Sequence, residues 1–162
     1  MTEDRGTPHR PRGEPVPSAP AAPSTTEPST PVARLVRSPR LSDVAEYAYA
    51  TVVPSGARLV YAAGACPLDA AGATVGVGDV RAQAAQTMSN LRVSLEDAGA
   101  TFADLVKTTV YVASTSQDDL VAAWEVVRDT LAPHDPPSTL LGVAALGYDD
   151  QLVEVEAVAA IR

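Results

Sequence analysis

The 162-residue chain has a single cysteine, Cys66, so no intrachain disulfide can form and a reducing compartment is the natural reading. No apolar stretch approaches bilayer-spanning length and the N-terminus lacks the hydrophobic segment of a secretory signal, so the expected location is cytoplasmic. Histidine is nearly absent too. His9 lies among the prolines of the N-terminal stretch, which leaves His134 and Cys66, too few ligands for a typical structural zinc site. Gly76-Val77-Gly78 is too short to be a phosphate-binding loop, and no nucleophile-elbow sequence supports a Ser-His-Asp triad. Basic charge is scarce beyond residue 40, where six basic residues face sixteen acidic ones, a net of −10. Nothing there could neutralise a run of phosphates, so nucleic acid and anionic membrane surfaces are not expected partners.

Residues 1–40 differ. They hold nine of the fourteen prolines, six scattered arginines and four acids. Such a segment cannot bury enough apolar surface to offset its ordering entropy, so a mostly disordered tail is expected, with one domain over 41–162. A short apolar stretch, Val32–Val36, opens the ordered part.

The strand-like runs Tyr47–Val53 and Leu59–Ala65 flank the turn residues Pro54-Ser55-Gly56 and read as a hairpin. Asp79 is a plausible N-cap for a helix whose stripe is Val80, Ala84, Met88, Leu91 and Leu95, and Gly99 is placed for its C-terminal cap. Leu105–Ala113 alternates as a strand. Ser116 and Asp119 suggest a capping box for a second helix carrying Leu120, Trp124, Val127 and Leu131, ended by Pro133. Thr139–Ala144 and Leu152–Ala160 read as closing strands. The order β-β-β-α-β-α-β-β predicts an α/β (α+β) two-layer sandwich with helices on one sheet face. The other face then needs cover, and an oligomer is expected to supply it.

Few side chains stand out chemically. Cys66 has no basic sequence neighbour to lower its pKa and reads as a small apolar residue after a strand. His134 reads as a loop residue near the helix end, Trp124 as core or pocket lining, and Asp149-Asp150 as a solvated turn. Glu154 and Glu156 share one face of an otherwise apolar strand, so they belong to an interface, a site or an exposed edge.

Three stretches carry a family resemblance. Gly64-Ala65-Cys66-Pro67-Leu68-Asp69, the strand Val106-Lys107-Thr108-Thr109-Val110-Tyr111-Val112, and the pair Pro136–Leu146 with Val153–Ala159 resemble, in order and spacing, segments of the Rid (YjgF-type, reactive-intermediate deaminase) family. The match spans roughly residues 41–161. It implies a chorismate-mutase-like fold, usually a homotrimer with clefts between subunits, and hydrolysis of an enamine or imine to a carbonyl compound and ammonia. No metal or organic cofactor is implied.

Residue by residue, the cleft tyrosine matches Tyr47, with Tyr49 second. The glycine approached by substrate matches Gly64, and the water-positioning glutamate matches Glu154. Where the family places a carboxylate-clamping arginine this chain has Ser138; its helix asparagine falls on Trp124, and a Ser or Cys position on Leu140. No Lys or Arg nearby in sequence replaces the arginine. The implied cleft is more apolar, bounded by Tyr47, Trp124 and Leu140 with Ser138, Thr139 and Glu154 as polar groups. It suits a neutral or larger ligand better than a small anionic imino acid. A non-catalytic metabolite-binding trimer, or a pathway-specific cyclase or isomerase using the same cleft, are the alternatives.

Overall fold

The structure, a computed structural model, describes residues 31–42, 44 and 46–162. Residues 1–30, most of the expected tail, lie outside it. Strand β1, Arg34–Val36, already belongs to the folded unit, ahead of the boundary at residue 41.

Helix α1, Val80–Asp97, begins and ends where local chemistry demands. The Asp79 carboxylate accepts the Ala82 N–H at 3.0 Å, satisfying one of the free donors of the first turn. Gly99, at φ +76°, lets the Gly99 N–H reach Glu96 O and the Ala100 N–H reach Leu95 O, closing the last turn as a Schellman motif. Helix α2, Gln117–Leu131, starts differently from the expected capping box. The Ser116 side chain makes no cap bond; instead Ser114 Oγ donates to Asp119 Oδ2 at 2.6 Å and accepts the Ser116 N–H at 3.0 Å. The chain turns sharply after the preceding strand, and that turn sets Ser114 rather than Ser116 against Asp119.

Four strands form the main sheet in the order β3 (Arg58–Ala65), β6 (Val153–Ile161), β4 (Leu105–Val112), β5 (Ser138–Gly142). β6 is antiparallel to both neighbours, whereas β4 and β5 are parallel and joined through α2. The expected hairpin does not form. β2, Ala50–Val52, pairs antiparallel with β1 in a separate two-stranded ribbon, and Thr51 Oγ1 donates to Val106 O at 2.9 Å. Pro54–Gly56 does turn the chain, with the Ala57 N–H on Pro54 O, but the strands it joins enter different sheets.

Strand alternation divides the main sheet into two unlike faces. Thr108, Val110 and Val112 of β4, with Val153, Val155, Ala157 and Ala159 of β6, pack under Met88, Leu91 and Leu95 of α1 and Val127 and Leu131 of α2. The opposite face carries Leu59, Tyr61, Lys107, Thr109, Tyr111, Thr139, Leu141, Glu154 and Glu156, and among the described residues neither helix packs on it. Tyr61 is 74 % exposed, Leu59 45 % and Leu141 43 %.

Two amides on α1 tie loops to this frame. Gln83, fully buried, accepts the Leu152 N–H at 2.7 Å and donates to Asp150 O at 2.8 Å, fixing the approach to β6. Asn90 donates to the carbonyls of Cys66 and Leu68 at 2.8 Å each, fixing the exit from β3.

Candidate functional site

Five of the seven singled-out residues fall in two separate places on one chain, and Thr139 and Leu140 lie in neither. The first lies where β3 meets β6. Glu154 occupies the space a side chain at position 64 would need: an ideal Cβ on Gly64 would stand 1.9 Å from Glu154 Oε1. Glycine is what lets the carboxylate lie against the strand. Gln151 Nε2 donates to Glu154 Oε2 at 3.1 Å, and the Cys66 thiol approaches the same oxygen at 3.7 Å. Burial first, and the negative charge of Glu154 second, push the Cys66 thiol up from its ordinary pKa. Cys66 is thus a protonated donor beside the carboxylate.

The second place is a cavity of about 200 Å³ between the segment before β2 and the end of α2. Tyr47, Trp124 and Ser138 line it together. The Tyr47 and Trp124 rings meet edge to face, 5.8 Å between centroids at 89°. Ser138 Oγ lies 2.7 Å from Thr108 Oγ1 and donates to Pro136 O at 3.0 Å, so much of its hydrogen-bonding capacity is already used.

Ser138 and Thr139 are consecutive on a strand and point to opposite sides. Ser138 faces the cavity, while Thr139 stands on the uncovered sheet face, where Lys107 Nζ donates to its Oγ1. Within one chain they cannot hold a ligand together. Leu140 packs against the core rather than lining the cavity. Glu156, on the same face as Glu154, accepts the Tyr111 hydroxyl at 2.8 Å, and that bond is the main reason the Tyr111 pKa rises.

Three charged cavity residues escaped the sequence reading, Glu46, Arg128 and Asp135, and His134, a loop residue just after α2 as expected, also lines the cavity. Arg128 Nη1 donates to both oxygens of Glu46, at 3.0 and 2.9 Å, and Trp124 Nε1 donates to Glu46 Oε2 at 3.3 Å. These donors, Arg128 ahead of Trp124, hold the Glu46 carboxyl below the usual range. His134 Nε2 lies 2.8 Å from Leu105 O, which anchors the loop after α2 to β4. Arg128 was missed because a replacement cation was sought next to Ser138 in sequence. The crossover from α2 to β5 folds ten residues back on themselves and brings it to the same cavity. Among the described residues no three His, Cys, Asp or Glu side chains group as a metal site would, and no helix is long and apolar enough to cross a membrane.

Comparison with known proteins adds a family. The model described as Endoribonuclease L-PSP matches residues 40–161. A RutC family protein of Haemophilus influenzae is 36 % identical over 104 residues, covering 63 % of this chain and 78 % of the relative. One from Pyrococcus abyssi is 30 % identical over 102 residues, covering 63 % and 78 %. Among solved structures, a Rid-family protein of Yersinia pestis superposes with a TM-score of 0.75 at 31 % identity, covering 80 % of this chain and 99 % of the other. The E. coli protein TdcF, solved with bound serine, gives 0.56 at 28 % identity, covering 72 % and 87 %.

Proposed function

The chain belongs to the Rid (Endoribonuclease L-PSP) family, and from that premise we propose that it is a cofactor-independent hydrolase of enamines or imines. The family model's label names a ribonuclease. The net −10 charge of residues 41–162 offers no surface to hold a polynucleotide, so a small molecule is the better substrate.

The observation that carries the reading is the Glu154 carboxylate lodged against Gly64 and held by Gln151. An imine carbon is already electrophilic, so the protein must hold the substrate and orient one water. Glu154 accepts a proton as the water oxygen bonds to the imine carbon. The former imine nitrogen takes up that proton to give the carbinolamine; the hydroxyl proton then passes through Glu154 to the nitrogen as the C–N bond breaks, the carbon–oxygen double bond forms and ammonia leaves. Water and imine are consumed; a carbonyl compound and ammonia are released. Ser138 in place of an arginine removes a planar charged fork, so small imino acids are poor substrates and neutral or larger imines are favoured.

The uncovered sheet face supports assembly into a homotrimer, with Leu59, Tyr61 and Leu141 buried between copies. In such an assembly Glu154 and Thr139 of one copy could approach the Tyr47–Trp124–Ser138 cavity of another.

The test is ammonia release from 2-aminoacrylate generated in situ and from a panel that includes uncharged imines, comparing native protein with Glu154→Gln and Ser138→Arg. Glu154→Gln should lose about 10²–10⁴-fold in rate, and Ser138→Arg should gain activity on 2-aminoacrylate. No acceleration of any enamine or imine, with saturable ligand binding intact, would replace the hydrolase by a metabolite-binding protein.

A further inference from the structure

Gln151, just before β6, is a polar side chain only 4 % exposed. Its Oε1 accepts the Tyr148 N–H at 3.0 Å, and its Nε2 donates to Val153 O at 3.2 Å and to Glu154 Oε2 at 3.1 Å. The amide can point only one way. Reversed, its oxygen would face a carbonyl and a carboxylate, and its NH₂ would face an N–H. The backbone on either side is fixed as well: Gln83 of α1 holds Asp150 O at 2.8 Å and the Leu152 N–H at 2.7 Å. Gln151 therefore offers the Glu154 carboxylate a donor and not an acceptor.

The two oxygens of that carboxylate are placed differently. Oε2 takes the Gln151 amide and faces Cys66 Sγ at 3.7 Å. Oε1 lies against Gly64, and among the described residues no group donates to it. Glu154 is half-buried, so water can reach it there. We infer that Gln151 is the positioning residue of this site: it pins Oε2 and thereby makes Oε1 the oxygen that takes the proton of the attacking water. A carboxylate on single bonds would otherwise rotate and present either oxygen. The amide settles that choice before substrate arrives. This role rests on the reading of Glu154 as the base, and adds to it the group that aims that base.

Turnover and geometry are tested separately, on the full-length protein. Gln151→Met keeps the length of the side chain and loses the donor. Gln151→Glu keeps an acceptor for the Tyr148 N–H but turns a like charge on Glu154, and it serves if the methionine variant does not fold. In either, kcat for ammonia release should fall about tenfold to a hundredfold with KM within about twofold, because the substrate is held by other residues. In a Glu154→Gln background the same substitution should cost less than about twofold further, since no base is left to aim.

Cys66 is the chain's only cysteine, so iodoacetamide reads this site without turnover. Glu154→Gln should move the alkylation profile of native protein to lower pH. With Gln151 already substituted, the same change should move it less than about half as far, because the carboxylate is no longer held beside the thiol. An equal shift in both backgrounds, native kcat in a folded Gln151 variant, or a rate loss that repeats in full without Glu154 would each overturn the proposal. Absent ammonia release from native protein would instead end the hydrolase reading, and the thiol measurement would still decide whether Gln151 holds Glu154.

Discussion

Replacing Gly64 by alanine should move the Glu154 carboxylate while leaving the fold largely intact. The new Cβ would stand 1.9 Å from Glu154 Oε1, 2.6 Å from Cδ and 2.9 Å from Cγ, all far inside contact distance. Those atoms end a flexible side chain, so β6 itself need not shift. Alanine should gain about 0.5–1 kcal/mol over glycine within a strand through chain entropy. Against this stands the Gln151–Glu154 bond at 3.1 Å, a charged hydrogen bond of roughly 1.5–3 kcal/mol. Glu154 is only half-buried, so water recovers part of the loss and the net cost should be about 0.5–2 kcal/mol. At about 3–5 °C per kcal/mol for a domain of this size, Tm should fall by no more than roughly 10 °C.

Cys66 reports where the carboxylate went. The thiolate is the form that reacts with iodoacetamide, and Glu154 disfavours it by charge and by accepting the thiol proton. Displacing Glu154 lowers the thiol pKa, so the alkylation profile should move to lower pH, as it should in Glu154→Gln. Burial, the larger cause, stays in place, so the profile should not reach that of a free thiol. In a Glu154→Ala background the same glycine substitution is relieved of these three contacts and should cost less than in native protein, by about the 1.5–3 kcal/mol of the hydrogen bond no longer at stake. An unchanged Cys66 profile in Gly64→Ala, or a Tm loss well beyond the stated range, would show that the backbone rather than the glutamate yields.

Other consequences are open to direct measurement. Gln83→Leu strands the Leu152 N–H and two carbonyls away from water and should cost about 2–4 kcal/mol in denaturant unfolding, with faster amide exchange over 147–152. Asp104, nearly buried, accepts the Thr101 N–H and hydroxyl at 2.8 and 2.9 Å, so Asp104→Ala should destabilise by about 1–3 kcal/mol. Asp79→Ala, which removes only an exposed cap, should cost about 0.5–2 kcal/mol in the same assay. The Glu46 carboxyl has a lowered pKa in the fold, so its pairing with Arg128 should persist as pH falls through the ordinary carboxylate range and open only below it. Trp124 emission should titrate there in native protein and not in Glu46→Gln.

What was legible in the sequence followed from local chemistry. Asp79 and Gly99 bracket α1 because caps are decided within a few residues of the helix end, and the alternation of β4 and β6 survives because its period is two. Partner choice is not local. Pro54–Gly56 looks like a hairpin turn from either side, yet β2 pairs with β1, Arg34 opposite Val52 and Val36 opposite Ala50, and β3 pairs with β6 about a hundred residues on. The Glu154–Glu156 shared face was readable in the same way, and so was the divergence of Ser138 from Thr139, which the strand period already dictates. The Glu46–Arg128 pair was not readable, since its members stand eighty-two residues apart.

Strand β6 follows every other described element in the chain, yet it lies between β3 and β4. Its pairing joins Arg58 to Ile161 and Leu105 to Ala159, so the middle of the sheet closes only through contacts distant in sequence. Loop-closure entropy must be met before those contacts contribute, which places the fold among slower folders of its size. Until β6 arrives, β3 and β4 each present an open hydrogen-bonding edge beside apolar Val, Leu and Ala side chains. Such edges are templates for pairing between nascent copies. The strand that carries Glu154 therefore also decides how long the unfinished sheet remains exposed to its neighbours.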